Sequence, residues 1–439
     1  MVKTRLLFEY YFSRENLTDV FRDKISHTKT IGLDKITADA FESHLDEEIS
    51  IINRKIGNFT YHFTPYRQIL ISKGAQKYPR EISISTIRDR LVLTALNQFL
   101  VERLGNSVCQ TQLPQSVIQS IVNCINAKCF NYYLKFDISH FYSSLDHTIL
   151  VKKVRRKLRL KEAINLIKKA IETPTKCIDK ISPCVVKRNI GTPEGIPISN
   201  TLANLYLQDV DCYWKKQNNV CYYRYVDDIL IFCQKKDADL ICQHLTQQIR
   251  KLKLNFNDKT EQESLDHVFT YLGYKFSGSK VSVRESSVLH LEKNLESVFS
   301  LATKGPNNNL DPLQLWKLNL KITGFIVDKK KYGWLFYFSQ LNDLQLLSHL
   351  DWLIQRLFKR YGYVNLGQVK HFHRAYYEIR YNLHKTNYIP NFNNYTFDDK
   401  RNLLVQLGIN FKKDDVENAF HKLIVKASAE LEKDVQPFS

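Results

Sequence analysis

The sequence predicts a mixed α/β fold of the α+β kind, and three observations predict it. Apolar residues recur at helical spacing near the start, with Leu6, Leu7, Tyr10 and Tyr11 followed by Leu17, Val20 and Phe21. The middle holds short apolar runs bounded by polar residues, YYLKFDI at 132–138 and CYYRYVDDILIFC at 221–233, which read as buried strands. Beyond about residue 290 the chain is mostly amphipathic helix rich in aromatics such as Trp316, Trp334, Trp352 and Phe358. The composition, 44% hydrophobic and 25% charged, is that of a globular protein, and 14 Gly with 11 Pro exclude a collagen-like or low-complexity chain. At roughly 100–200 residues per domain, the 439 residues amount to two to four packed units.

Taken in order, residues 1–30 form helix, and 32–50 a second helical stretch capped at Thr37 or Asp39. Residues 59–72 read as strand interrupted by Pro65, and 86–104 as helix through Ile87, Leu91, Leu96 and Phe99. The strand at 132–138 follows. Residues 150–171 read as one helix studded with Lys152, Lys153, Arg155, Arg156, Lys157, Arg159 and Lys161. Ser199 to Leu207 is helical after a Gly/Pro turn, 221–233 is two strands around an acidic pair, and 238–252 is helix. Residues 271–277 and 280–284 are strands, and 304–312 (KGPNNNLDP) is the clearest linker.

The 64 Lys+Arg against 45 Asp+Glu leave a net charge of +19, which favours a polyanionic partner, nucleic acid ahead of an acidic membrane surface. The nine cysteines form no C-x-x-C pair and no zinc-type spacing, so reduced thiols in a cytoplasmic protein are expected. No apolar run approaches the roughly 18 residues of a membrane span, and the N-terminus does not read as a signal peptide.

Asp227 and Asp228 sit between two apolar strand segments, where a carboxylate pair is costly unless it lies at a tight turn and meets positive charge. Asp137 ends another apolar strand. Three carboxylates on neighbouring strand ends suit oxygen-seeking Mg²⁺, and a pair of such ions can serve phosphoryl transfer. Tyr225-Val226-Asp227-Asp228 resembles the YxDD signature of reverse transcriptases. Lys135 to Tyr142, Gly191 to Asn204, Lys259-Thr260, Tyr271 to Tyr274, and upstream Lys73, Arg80 to Ile84 and Arg88-Asp89-Arg90 resemble that family's other motifs in the same order. The likeness extends over about residues 31–280. It is strongest to bacterial enzymes of the group II intron and retron kind, and most of all to the defence-associated "unknown group" lineages.

The resemblance implies that Asp137, Asp227 and Asp228, with the Ile138 carbonyl, hold two Mg²⁺ ions, Mn²⁺ being a substitute. It makes Tyr142 the gate against a 2′-hydroxyl, and Lys73 and Arg80 the triphosphate binders. Gly195 and Glu194 line the nucleotide pocket, Lys259 faces the departing pyrophosphate, and Tyr271, Leu272, Gly273 and Tyr274 form the primer grip. One residue departs from the family pattern: Glu194 stands where Gln is usual, and a carboxylate there repels a triphosphate unless Lys or Arg pairs with it.

The implied architecture is a right-hand polymerase. It has an N-terminal helical extension (1–30), fingers (31–105), a palm of antiparallel sheet plus helices (106–277) with a fingers insertion at about 150–190, a thumb (278–345) and a C-terminal helical domain (346–439). The implied activity is RNA-directed DNA synthesis from dNTPs, with RNA as template or associated non-coding RNA, DNA as product, and phage defence as the setting. A homo-oligomer or a partner protein is compatible with it, and a membrane is not expected. Intron- or retron-type enzymes, template-independent or protein-primed DNA polymerases, an RNA-dependent RNA polymerase and a non-catalytic RNA-binding subunit remain as alternatives.

Overall fold

Helices begin where the sequence supplies oxygen caps. Thr37, Thr86, Asp146, Asp311 and Thr396 each accept a backbone N–H of the first turn. The computed structural model describes residues 2–72, 78–105, 108, 113–177, 187–258, 260–302, 306–412 and 415–435. The chain divides into two compact units, Met1–Gln112 with Phe130–Ser264, and Leu113–Cys129 with Leu265–Ser439.

The first unit contains two sheets. Strands β1 (Tyr66–Ile71) and β2 (Arg80–Ile84) pair antiparallel, and β4 (Thr175–Lys176) joins β1 in parallel. The second sheet, all antiparallel, has the order β5 (Cys221–Tyr225), β6 (Asp228–Cys233), β3 (Tyr132–Asp137), β7 (Glu261–Ser264). The β6 run Ile229-Leu230-Ile231-Phe232 is buried on both faces, which is why it reads as a continuous apolar stretch rather than an alternation. Helix Ile87–Leu104 is buried around most of its circumference, and Ser199–Trp214 nearly so.

The second unit carries the sheet β10 (Lys280–Val283), β9 (Tyr274–Ser277), β8 (Phe269–Tyr271) and the hairpin of β11 (Phe325–Val327) with β12 (Lys330–Tyr332). Around them stand helices such as Glu285–Ser300, Leu344–Tyr361 and Val416–Val435. Lys321 and Asp434 form a buried ion pair at 2.7 Å, and Asn294 donates a hydrogen bond to the same carboxylate.

Several local expectations change. The expected helix 150–171 is two helices, His147–Lys157 and Lys161–Glu172, broken across Leu158–Leu160. In 59–72 only the part after Pro65 is strand. Residues 271–277 are a hairpin, because Leu272 (φ 48) and Gly273 (φ 81) turn left-handed between β8 and β9. Helix Pro114–Asn126, opened by a proline in its first turn, and the β11–β12 hairpin were not anticipated. Within the expected linker, Pro306–Asn308 is a short 3₁₀ turn, and residues 303–305 lie outside the described residues. The seven described cysteines are free thiols, and among the described residues no helix is long and apolar enough to cross a membrane.

Candidate active site

The acidic pair sits on a two-residue hairpin turn. Tyr225 pairs with Asp228 across β5 and β6, leaving Val226 and Asp227 at the tip. Val226 has φ 57, a left-handed conformation that a β-branched residue seldom adopts. The turn is tethered from below: the Arg224 guanidinium donates to the Val226 carbonyl at 2.7 Å and to Asn204 at 3.2 Å. The same guanidinium grips Asp211 with two bonds, 2.7 and 2.5 Å, and Tyr222 donates its hydroxyl to Asp211 at 2.9 Å. Arg224 is almost wholly buried, so a planar fork matched to one carboxylate is the arrangement that keeps its charge tolerable.

Asp137 lies directly opposite Asp228 in the β3–β6 ladder, so the two carboxylates leave the same face of the sheet. The Ile138 N–H donates to the Asp227 carbonyl at 3.2 Å, which ties the end of β3 to the turn. Asn257 holds Asp137 twice: its backbone N–H donates to the Asp137 carbonyl at 2.9 Å, and its side-chain amide donates to the carboxylate. Burial pushes the Asp227 carboxyl above the usual carboxylate range. The neighbouring Asp137 charge adds to this, and Arg80 works against it. Like charges at such a corner favour a cation between them.

Tyr142 is the second residue of a one-turn helix, Phe141–Ser144, which opens after His140, whose backbone is left-handed (φ 48). Burial, with the Asp227 and Glu194 charges beside it, pushes the Tyr142 hydroxyl up to about 12. Its carbonyl accepts the Thr192 N–H at 2.7 Å, and Gly191 donates to Leu145 at 2.8 Å. Gly191 (φ 81) has to be glycine, since a Cβ would stand 2.6 Å from the Ser143 carbonyl oxygen. On its other side the loop leans on β2. Glu194 accepts the Ser83 N–H on its carbonyl at 2.6 Å, and its carboxylate is ion-paired with Arg80. A Cβ on Gly195 (φ 99) would meet Ile82 at 2.7 Å.

Asp137, Ile138, Asp227, Asp228, Tyr142, Arg80, Glu194 and Gly195 therefore come together in the first unit. Lys73 and Lys259 lie outside the described residues. Tyr271, Leu272, Gly273 and Tyr274 belong to the second unit, where Tyr271 and Tyr274 are buried. The Tyr274 hydroxyl donates to the Tyr337 carbonyl at 2.5 Å. Arg88-Asp89-Arg90 is scaffold: Arg88 pairs with Glu48, Asp89 accepts from Tyr61 and the Thr64 N–H, and Arg90 donates to Thr28. Among the described residues no three His, Cys, Asp or Glu side chains form a finished metal-holding group. The sequence reading missed Arg224, Asp211 and Asn257. Arg224 had a signal, a charge inside an aromatic strand beside the acidic pair. Asp211 and Asn257 had none, since only the fold brings them near.

The reverse transcriptase (RNA-dependent DNA polymerase) family matches residues 71–276. The group II intron-encoded protein LtrA of Lactococcus lactis subsp. cremoris is 27% identical over 207 residues, 46% of this chain and 33% of that protein. Protein YkfC of Escherichia coli (strain K12) is 22% identical over 319 residues, 62% of this chain and 81% of that protein. An uncharacterized 91 kDa protein in the cob intron of Schizosaccharomyces pombe is 25% identical over 216 residues, 48% of this chain and 26% of that protein. The matches thus span about a third or less of the two intron-encoded relatives. Among solved structures, telomerase from Candida albicans with a TWJ fragment of telomeric RNA aligns with a TM-score of 0.46 at 12% identity, over 89% of this chain and 66% of that one. A likeness at that level bears on neither substrate nor partner.

Proposed function

We propose that this chain, whose residues 71–276 match the reverse transcriptase (RNA-dependent DNA polymerase) family, copies RNA into DNA at the corner formed by Asp137, Asp227 and Asp228. The observation that carries the reading is the convergence of Asp137 and Asp227 at the end of an antiparallel sheet, with Tyr142 and Arg80 beside them. Carboxylate and carbonyl oxygens are the donors a hard divalent cation takes. Asp137, Asp227, Asp228 and the Ile138 carbonyl would hold it, two Mg²⁺ ions in this reading. Bound there, the cation supplies charge neutralisation around the reacting phosphate.

The reaction is attack of a primer 3′-oxygen on the α-phosphorus of a dNTP. A P–O bond forms, the bond to the β-phosphate oxygen breaks, and pyrophosphate leaves. Tyr142 excludes a 2′-hydroxyl, Arg80 and Lys73 meet the triphosphate, and Lys259 meets the pyrophosphate. In the turn Leu272–Gly273 the backbone, rather than the buried Tyr271 and Tyr274 rings, supports the primer. The fingers, palm and thumb boundaries given above belong to this reading, as does a setting in antiviral defence with a non-coding RNA.

The test is divalent-metal-dependent dNTP incorporation on an RNA template with a DNA primer. The wild-type protein extends the primer, and Asp227→Asn does not. No extension by the wild-type protein under any divalent metal would instead favour a non-catalytic RNA-binding subunit.

A further inference from the structure

Four chain segments of the first unit bring basic residues to one concave tract that the polymerase reading does not use. A cavity of about 620 Å³ is walled by Arg5, Arg103, Arg156, Lys157, Arg159 and Lys161. A second, of about 760 Å³, is walled by Lys152, Arg155, Arg156 and Lys168. Arg156 lines both, so the two adjoin. Nine basic side chains face two carboxylates there. Both carboxylates are already engaged, Glu162 with Arg5 at 2.8 Å, and Glu172 with Lys168 and Lys187 at 3.7 and 3.9 Å.

A solvated helix face offers a milder account of such a run, and one residue follows it inward. Lys153 is buried, donates to the Tyr206 carbonyl at 2.6 Å and pairs with Asp209 at 2.9 Å. The others do not. Lys152, Arg155, Arg156, Lys157, Arg159 and Lys161 are exposed, and among the described residues none has an ion-pair partner. Like charges at such spacing oppose folding, and cations from the first helix (Arg5) and from the end of helix Ile87–Leu104 (Arg103) increase the repulsion.

We propose that this tract docks a folded RNA, in addition to any template strand at Asp137 and Asp227. Five of the nine cations are Arg, whose planar fork grips phosphate with paired hydrogen bonds. Two adjoining hollows accept nucleotides that protrude from a loop or bulge, which a smooth DNA duplex or a lipid surface does not offer. The exposed Phe59 ring on the rim is a stacking platform for such a base. The surface stands on charge and shape alone, independent of catalysis.

The experiment is fluorescence anisotropy of the full chain, without dNTP or divalent cation, against a fluorescein-labelled RNA hairpin with an internal bulge. A DNA duplex of equal length and phosphatidylserine vesicles are the comparison arms. In the triple variant Arg155→Ala, Arg156→Ala, Arg159→Ala, the RNA Kd is expected to rise about tenfold or more. The slope of log affinity against log salt should become shallower by about 2–3. Lys157→Glu with Lys161→Glu, on the adjoining turn, gives an independent reading if the triple variant unfolds. Unchanged Kd and slope in a folded variant, or tighter binding to DNA or vesicles than to the hairpin, would overturn the proposal. Asp227→Asn is expected to bind the hairpin like the wild-type protein while making no DNA, so loss of synthesis and loss of docking are read separately.

Discussion

The guanidinium of Arg80 is ion-paired with the carboxylate of Glu194, joining the first residue of β2 to the loop that carries Gly191 and Gly195. Glu194 is the residue at which this chain departs from the reverse transcriptase pattern it resembles, and the pairing answers the electrostatic objection to it: the carboxylate at the proposed nucleotide pocket is neutralised by Arg80, the cation proposed to meet the triphosphate. Both side chains keep some exposure, 42% and 26%, so solvent weakens the pair.

Glu194→Gln should therefore free Arg80 for the triphosphate. A pair of this exposure is worth roughly 0.2–1 kcal/mol, so the KM for dNTP should fall by about 1.5- to 5-fold with little change in kcat. Arg80→Ala should raise it. Steady-state incorporation measures both, and a raised KM in Glu194→Gln would mean that Glu194 itself contacts the nucleotide.

Tyr142 is held by its own backbone, through Thr192, and by the close seat of Gly191 against Ser143. Tyr142→Ala should let ribonucleotides in, raising rNTP efficiency relative to dNTP by about 10–200-fold, the span that filling or emptying part of a pocket commands. Gly191→Ala should relax the same discrimination from a distance, since its Cβ has to displace the Ser143 backbone. Competition between rNTP and dNTP in primer extension reads both.

How much of this was legible depended on whether the determinant was local. The hairpin around Asp227 and Asp228 and the strand end at Asp137 are encoded by contiguous apolar runs, and the structure has them in those places. The break at Leu158–Leu160 was not legible, because the leucines continue the helical period and only packing decides that Leu158 turns into the core. Lys153 looked like its basic neighbours and points inward, since its partners Tyr206 and Asp209 sit on a helix about fifty residues away. Asn257 and Asp211 hold the site through contacts of the same non-local kind.

Asp146 caps helix His147–Lys157, accepting the Ile149 N–H at 3.0 Å, and pairs with Lys253 at 2.7 Å. The Lys253 hydrogen bond and the cap hold its carboxyl below the usual 3.8. A depressed carboxyl stabilises the fold above its unfolded pKa, and that contribution is lost as pH falls through the folded value. Asp146→Ala should cost about 0.5–2 kcal/mol at pH 7. The deficit against wild type should shrink as the pH drops below about 3.8. Urea unfolding of both proteins across that range checks it.

Asp211 and Arg224 allow stability and positioning to be separated. Removing one partner of the buried pair, as in Asp211→Ala, should destabilise the protein by about 3–5 kcal/mol, because the Arg224 charge is left without its carboxylate. Replacing both, Asp211→Leu with Arg224→Met, should recover much of that loss, as apolar replacements of buried pairs commonly do. Activity should not return with it. The Val226 carbonyl then lacks the donor that fixes the turn, and Asp227 sits at the tip of that hairpin, beside a residue held in a left-handed conformation. The expected outcome is a double variant with near-native unfolding midpoint, lowered kcat and unchanged KM for dNTP. Equal kcat in the double variant and the wild-type protein would show that the turn holds its conformation without Arg224.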